Sequence, residues 1–333
     1  MRSKRVWVWS ALAAGAAFVL WYRAAALVEE ASTPREPTRA ILVTGGPGEF
    51  WQLAVKGAEA AAREFDVDLQ VQILEQDEGL REQTQTLIAL LDKPFDGCAI
   101  SPLAMESQTL LINQLAEKMD VVTFDSDAPM SHRRYYIGTS NYLAGKICYE
   151  LVTEALPDGG KVLVLLANLD KNNMIHRKEG YEECDVVESW NTVGYLSDHG
   201  DQQQVRKNVQ ETLEKHPDLA CVVGMNGYHG PLLRKLMADL GRLPEMKLVV
   251  FDAAEETLAG VEAGEIYATV VQDPWTYGFE AIRMLAALRN GKSAQLPIVG
   301  RGEINVRCEP LRQADVAEFR KRLQQRLNDD PPP

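Results

Sequence analysis

Positive charge is what this chain has too little of. Thirty-five Lys and Arg side chains stand against 48 Asp and Glu, for a formal net charge of −13. The first 38 residues carry five basic and three acidic side chains, so the remainder holds −15. A body this acidic excludes nucleic acid as partner, because phosphate binding needs a basic footprint. Wide adhesion to anionic lipid is excluded on the same ground. Cysteine is scarce as well. Cys98, Cys148, Cys184, Cys221 and Cys308 show neither a Cys-x-x-Cys pair nor zinc-type spacing. Cys98 and Cys221 sit inside apolar runs and read as small buried hydrophobes. The five histidines also lack ligand spacing, so no metal is expected.

Catalytic signatures are missing too. There is no G-x-S-x-G, no P-loop and no H-E-x-x-H. Residues 44–48, Thr-Gly-Gly-Pro-Gly, are glycine-rich after a strand-like run but lack G-x-G-x-x-G spacing. Pro47 moreover removes one of the N–H groups that a phosphate would need. Asp125 and Asp252 would suit glycoside hydrolysis as a carboxylate pair, and would suit ligand hydrogen bonding equally well. Asp66, Asp68 and Asp77 read as solvated turn charges. The expectation is a protein that is not an enzyme and carries no cofactor.

Arg2, Lys4 and Arg5 precede an apolar run at 6–22. The order of charge and then apolar residues is that of an export signal. The run is intermediate between a signal core and a full membrane span of about 20 residues. Ala24 and Ala26 offer a cleavage site, whereas Arg23 suits a retained anchor with its positive end inside. Both outcomes stay open. A polar, proline-containing linker follows to residue 38, and no cysteine stands near the run to carry a lipid.

From residue 39 onward, β-rich runs alternate with helical patterns. Strands are expected at 41–44, 69–74, 97–101, 121–125, 135–138, 161–166, 192–196, 219–226, 248–252 and 267–272. Several are unbroken Val/Ile/Leu runs, as expected of strands covered on both faces. Helical spacing appears after residue 50 and at 78–91, 105–118, 142–155, 202–215, 230–240 and 276–289. Pro94, Pro157 and Pro217 follow helices as stops. This rhythm implies parallel sheets with right-handed crossovers. Two sheets of about five strands fit ordinary domain sizes better than one of ten. The fold class is therefore α/β, with two doubly wound lobes enclosing a cleft.

In open α/β sheets, ligands bind beyond the C-terminal ends of the strands. The residues found there are Thr44, Ser101, Asp125, Asn226, Asp252 and Gln272, with Phe50 and Trp51 opening the first helix. Asp, Asn and Gln engage two vicinal hydroxyls with one planar group, and aromatic rings cover the C–H face of a sugar ring. Each residue also has a plainer use as a cap or packing residue.

At this point the chain resembles the type I periplasmic binding proteins of the ribose and related pentose/hexose group, which share their fold with the ligand domains of LacI-like repressors. The resemblance runs from about residue 39 to about 315. It is carried in order by Gly-Glu-Phe-Trp at 48–51, Ser-Pro at 101–102, Val-Val-Thr-Phe-Asp at 121–125 and Gly-Thr-Ser-Asn at 138–141 with Ala144 and Gly145. It continues with Arg-Lys-Glu-Gly-Tyr at 177–181, His-Pro-Asp at 216–218, Val-Val-Gly-Met-Asn at 222–226, Val-Phe-Asp at 250–252, the run at 264–272, Pro274 and Gly278. It implies a ligand site formed by Phe50, Trp51, Ser101, Asp125, Arg177, Asn226, Asp252 and Gln272, with Phe50 and Trp51 as the sandwiching aromatic pair. It also implies lobes at 39–140 with 273–302 and at 141–272 with 303–318. Three crossings near 139–141, 272–274 and 302–305 would form the hinge.

There are departures from the ribose pattern. Ser101 replaces an asparagine, Ser126 replaces an arginine, Gly200 stands near an aromatic position, and 169–176 is unlike the usual small-residue run. These point away from ribose and toward a bulkier or modified ligand, with Tyr228, His229 and Trp275 near the cleft. The expected role is an exported monomer that hands its ligand to an ABC-type permease, or a tethered module that reports it to a membrane sensor. No function is assigned to the charged tail at 319–333.

Overall fold

The computed structural model describes residues 36–186, 190–291 and 302–328. The apolar run at 6–22 lies outside these residues. The described residues from Thr38 onward form one unit.

The first half lays down β1 (Thr38–Val43), α1 (Glu49–Phe65), β2 (Val67–Gln72), α2 (Leu80–Leu90), β3 (Gly97–Ile100), α3 (Met105–Ala116), β4 (Asp120–Phe124) and β5 (Tyr135–Gly138). The second continues with α4 (Asn141–Ala155), β6 (Gly160–Leu166), α5 (Asn172–Cys184), β7 (Trp190–Ser197), α6 (Gln202–Lys215) and β8 (Leu219–Gly224). It then adds α7 (His229–Asp239), β9 (Lys247–Phe251), α8 (Glu255–Glu262) and β10 (Ala268–Val271). Helix α9 (Pro274–Arg289) returns to the first half, and β11 (Glu303–Asn305), β12 (Glu309–Arg312) and α10 (Val316–Asn328) close the chain.

Two six-stranded sheets result, ordered β11-β5-β4-β3-β1-β2 and β12-β10-β9-β8-β6-β7. Every pairing is parallel except β10 with β12. Strand alternation splits each sheet between two cores. Ala40 and Leu42 of β1 pack with residues of α1 and α9, while Ile41 and Val43 pack with residues of α2 and α3. In the second sheet, Val162, Val164 and Leu166 face one core and Leu163 and Leu165 the other. With both faces covered, the strands read in sequence as unbroken apolar runs.

The sheets hold six strands each because β11 and β12 join the ten expected ones. Both are short, and β12 contains Pro310, which reads against a strand. An edge position tolerates proline, and β12 is the antiparallel edge of its sheet. The third crossing also differs from expectation. Glu303–Asn305 is itself a strand of the first sheet, so the chain changes sheets over residues 306–308. Helix α5 was not expected either, since NNMIHRKEGYEEC carries no apolar stripe.

One packing device appears in both lobes. A Cβ on Gly278 would lie 1.8 Å from the Ala54 carbonyl oxygen, and one on Gly57 1.9 Å from that of Trp275, so α1 and α9 touch backbone to backbone. Helices α4 and α5 do the same through Gly145, 2.1 Å from the Arg177 oxygen, and Gly180, 1.9 Å from the Tyr142 oxygen. Only glycine permits these approaches. Gly145→Ala is expected to cost about 1–3 kcal/mol, read as a lower midpoint in a denaturant titration, because α5 must shift to admit the methyl group.

Candidate functional site

The cleft is built around two aspartates in matching places. Asp125 follows β4, the fourth strand of its lobe, and Asp252 follows β9, the fourth strand of the other. Both adopt left-handed backbone, with φ of 60° and 66°. Each N–H donates to the next strand, Asp125 to the Ile137 carbonyl and Asp252 to that of Val270, both at 2.9 Å. Such a conformation costs a non-glycine residue roughly 1–2 kcal/mol, and aspartate is among the residues that adopt it most readily.

Their neighbours hold them in place. Asp125 Oδ2 accepts from Ser101 Oγ at 2.9 Å and from Asn173 Nδ2 at 3.3 Å. Tyr136 donates its hydroxyl to the Asp125 carbonyl at 2.8 Å. Asp252 Oδ1 accepts from Gln272 Nε2 at 2.7 Å, and Gln272 Oε1 in turn accepts from the Tyr277 hydroxyl at 3.2 Å. Arg177, on α5, donates from Nε to Asn141 Oδ1 at 2.9 Å and from Nη1 to the Met225 carbonyl at 2.8 Å. Its guanidinium lies 4.5 Å over the Phe251 ring. No carboxylate among the described residues sits at ion-pair distance from it, so its charge is held by neutral acceptors. Burial pushes the Asp252 carboxyl above its usual range, and the Arg177 charge and the Gln272 hydrogen bond oppose that shift.

The two lobes are closed on each other. Lys171 Nζ meets Glu78 Oε1 across the cleft at 2.9 Å, with side chains only 3% and 7% exposed. Burial works against the Lys171 ammonium, but Glu78 and Asp125 outweigh it and leave its pKa above the ordinary lysine value. The Met105 N–H donates to the Asp170 carbonyl at 2.9 Å, and the Glu255 N–H to Glu49 Oε2 at 3.0 Å. Between the lobes lies a cavity of about 490 Å³.

Seven of the eight expected site residues line it: Phe50, Trp51, Asp125, Arg177, Asn226, Asp252 and Gln272. Ser101 does not. It is fully buried one layer behind, where its hydroxyl orients Asp125. Phe50 and Trp51 do not form two plates with a slot between them. Their rings stand 5.0 Å apart at 80°, as neighbouring positions on a helix dictate. Trp51 also packs edge-on to Phe124 and is 7% exposed, so it serves the core as well as the cavity.

Sequence reasoning missed Asp77, Glu78, Lys171 and Asn173, all of which line the cavity. Asp77 does lie in an exposed turn, as expected, and desolvation on the cavity side together with the adjacent Glu78 pushes its carboxyl above the usual range. Tyr228 and Trp275 line the cavity, whereas His229 is buried behind it. Its Nδ1 accepts from the Asn226 N–H at 3.1 Å, so Nε2 carries the proton donated to Asp198 at 2.9 Å. Asp198 also accepts from the Tyr228 hydroxyl. Among the described residues no cluster of His, Cys, Asp and Glu is placed to hold a metal, and all five cysteines are free thiols.

Planar carboxylate and amide groups from both lobes, one guanidinium and an aromatic corner thus converge on a space that closure shields from water. A family model described as a periplasmic binding protein domain matches residues 40–293. The chain belongs to the periplasmic binding protein family. Among members of this family, it is similar to the ribose import binding protein of Salmonella typhimurium, at 23% identity over 62% of this chain and 67% of that protein. A glucose-galactose binding protein from Geobacillus stearothermophilus superposes with a TM-score of 0.78 at 27% identity, covering 84% of this chain and 99% of that one. A structure described as a XylFII-LytSN complex shares the fold at 19% identity and a TM-score of 0.75, over 85% of this chain and 100% of that one.

Two outcomes are expected of this periplasmic binding protein's cleft. Lys171→Met leaves Glu78 without its partner, which typically costs about 3–5 kcal/mol where the pair is buried. The closed state should lose that amount relative to the open one, and small-angle scattering should record a larger radius of gyration without ligand. The Asp252 carboxyl has a raised folded-state pKa, so its ionised form opposes folding at neutral pH. Asp252→Asn should therefore raise Tm at pH 7. The gain should shrink as pH falls through the folded-state pKa, where the native side chain becomes neutral too.

Proposed function

We propose that this chain binds a small sugar or sugar-like ligand between its lobes on the extracytoplasmic side of a membrane and delivers it to an ABC-type importer. The observation that carries this reading is the pairing of Asp125 and Asp252, one from each lobe, with Arg177, Asn226 and Gln272 around one cavity. A ligand with hydroxyls on several edges satisfies donors and acceptors of both lobes at once. Closure is then favoured by the ligand's differential contact with the closed state. Phe50 supplies the apolar surface that a sugar's C–H face requires. The ribose import and glucose-galactose binding relatives support the ligand class.

A second reading is a tethered sensor, with residues 6–22 kept as an anchor and the closed lobes presented to a signalling partner. It is favoured by the length of that apolar run and by the fold shared with the XylFII-LytSN complex. Sequencing the mature N-terminus separates the two readings. Cleavage near Ala26 leaves a free carrier, and an intact Arg2 leaves a tether.

The direct test is a thermal-shift panel of pentoses, hexoses, sugar alcohols, disaccharides and nucleosides. A ligand at a hundred times its Kd should add about 2.7 kcal/mol to stability. Asp252→Ala should weaken the binding of any hit by more than about 1 kcal/mol, since the ligand hydroxyls it serves lose their acceptor. A panel with no shift, or a hit unaffected by Asp252→Ala, would count against the proposal.

A further inference from the structure

Three consecutive residues that line the cavity, Asn226, Gly227 and Tyr228, sit on the turn between β8 and α7. The His229 N–H closes that turn on the Asn226 carbonyl at 3.0 Å. His229 is fully buried and lies behind the cavity wall. Its ring holds the turn through both nitrogens. Nδ1 accepts from the Asn226 N–H at 3.1 Å, and Nε2 donates to Asp198 Oδ2 at 2.9 Å.

Asp198 follows β7 directly and is 1% exposed. Its Oδ1 accepts from the Tyr228 hydroxyl and from the Gly200 N–H, the latter at 3.0 Å. Burial, the Asp198 charge and Glu78 push the Tyr228 hydroxyl far above its ordinary range, so it stays a donor. The Tyr228 ring stands 4.5 Å from the imidazole at 62°. Gly200 faces the other lobe, where a Cβ on it would lie 3.3 Å from that of Glu78, the acid of the buried ion pair with Lys171. A Cβ on Gly227 would lie 2.9 Å from Asp252 Oδ2. Apolar side chains in this space would avoid the cost of burying polar groups. The carboxylate, imidazole and phenol instead fix the turn that carries Asn226 and Tyr228.

The arrangement works with one proton on the ring. A second proton, on Nδ1, turns that atom from acceptor to donor and sets it against the Asn226 N–H. The Asp198 carboxylate stabilises the resulting cation, so the ring can take the proton, and the turn must then move. The other charged groups around the turn are fixed by their own contacts. Glu78, with Lys171, faces Tyr228, Asp252 faces Gly227, and Arg177 donates to the Met225 carbonyl just before the turn. Strand β8, on which Gly224 packs against the His229 Cβ, brings no charged group.

We propose that Asp198 and His229 are positioning residues of the ligand site, and that they hold Asn226 and Tyr228 in binding geometry only while His229 Nδ1 carries no proton. The inference rests on the sugar-binding reading and adds a control to it. The singly protonated ring belongs to the binding-competent site. Affinity therefore falls as pH falls through the range in which histidine gains its second proton, roughly pH 8 to pH 5.

The test has two arms on the purified chain. Long-range proton–nitrogen NMR spectra read the His229 ring, assigned by the signal lost in His229→Asn. The expected result at the alkaline end is a bare Nδ1 and a protonated Nε2. On acidification, the Asn226 and Tyr228 amide shifts should follow the midpoint of the ring. A proton on Nδ1 at the alkaline end, or amides that do not follow the ring, overturns the proposal. In the second arm, ribose and glucose are titrated across the same range. The Kd is expected to rise about tenfold from the alkaline to the acid end, the equivalent of about one hydrogen bond. In His229→Asn the amide oxygen can accept from the Asn226 N–H and gains no proton, so that rise should disappear. Any rise that comes from Asp252 or Asp77, whose carboxyls lie above their usual range, persists in the variant. Identical profiles for the two proteins overturn the proposal and leave the sugar-binding reading standing. Failure of both sugars to bind at any pH counts against the sugar-binding reading, and the spectra then decide the positioning role alone.

Discussion

Closing a cleft over charges removes the water that made them cheap to keep, and much of the site's architecture answers that cost. Asp125 and Asp252 need to remain good acceptors in a space shielded from solvent. Ser101, Asn173 and Gln272 supply hydrogen bonds to their carboxylates. Arg177 supplies positive charge without pairing directly, because Asn141 and Met225 fix its guanidinium instead. A directly paired arginine would have its donors taken up by protein; this one keeps its remaining N–H groups for the cavity it lines. Lys171 and Glu78 bury a second pair of charges only when the lobes meet, so the same desolvation that strains the site also ties its geometry to closure.

The lobes solve their local problems in the same way. Each ends its fourth strand with an aspartate in left-handed backbone, and each packs two helices through reciprocal glycines. The glycine contact of the second lobe has a direct bearing on the site. Gly145 touches the backbone of Arg177 itself, so the position of the guanidinium depends on a methyl group that is absent. Two approximate copies of one arrangement, facing each other, give the ligand equivalent acceptors from both sides.

The parts legible in the sequence were those where one physical demand dominates. Strands covered on both faces must be apolar, and that demand marked the strands expected at 97–101, 219–226 and 248–252. Polar residues that end such runs must face the strand ends, which brought out Asp125, Asn226, Asp252 and Gln272. What escaped depends on partners remote in the chain. Lys171 and Glu78 are 93 residues apart and look like surface charges until the lobes meet. Asp77 is an exposed turn residue, and nothing local shows that it borders the cavity. Ser101 ends its strand as the others do, but its side chain is too short to pass Asp125 and reach the cavity. Helix α5 has no apolar stripe because it packs through glycine and presents Asn173 and Arg177 inward. The tail carried no signal until α10 was seen against the cleft.

Neither lobe is made from one continuous stretch of chain. The first needs α9 and β11, and its core is incomplete without Ala281, Ile282, Met284 and Leu285. The second needs β12, whose Leu311 packs beneath its sheet. During synthesis the strands of the first lobe therefore emerge a whole lobe ahead of the helix that covers them. A nascent chain cannot finish either half early, and both cores are completed only when the last elements have left the ribosome.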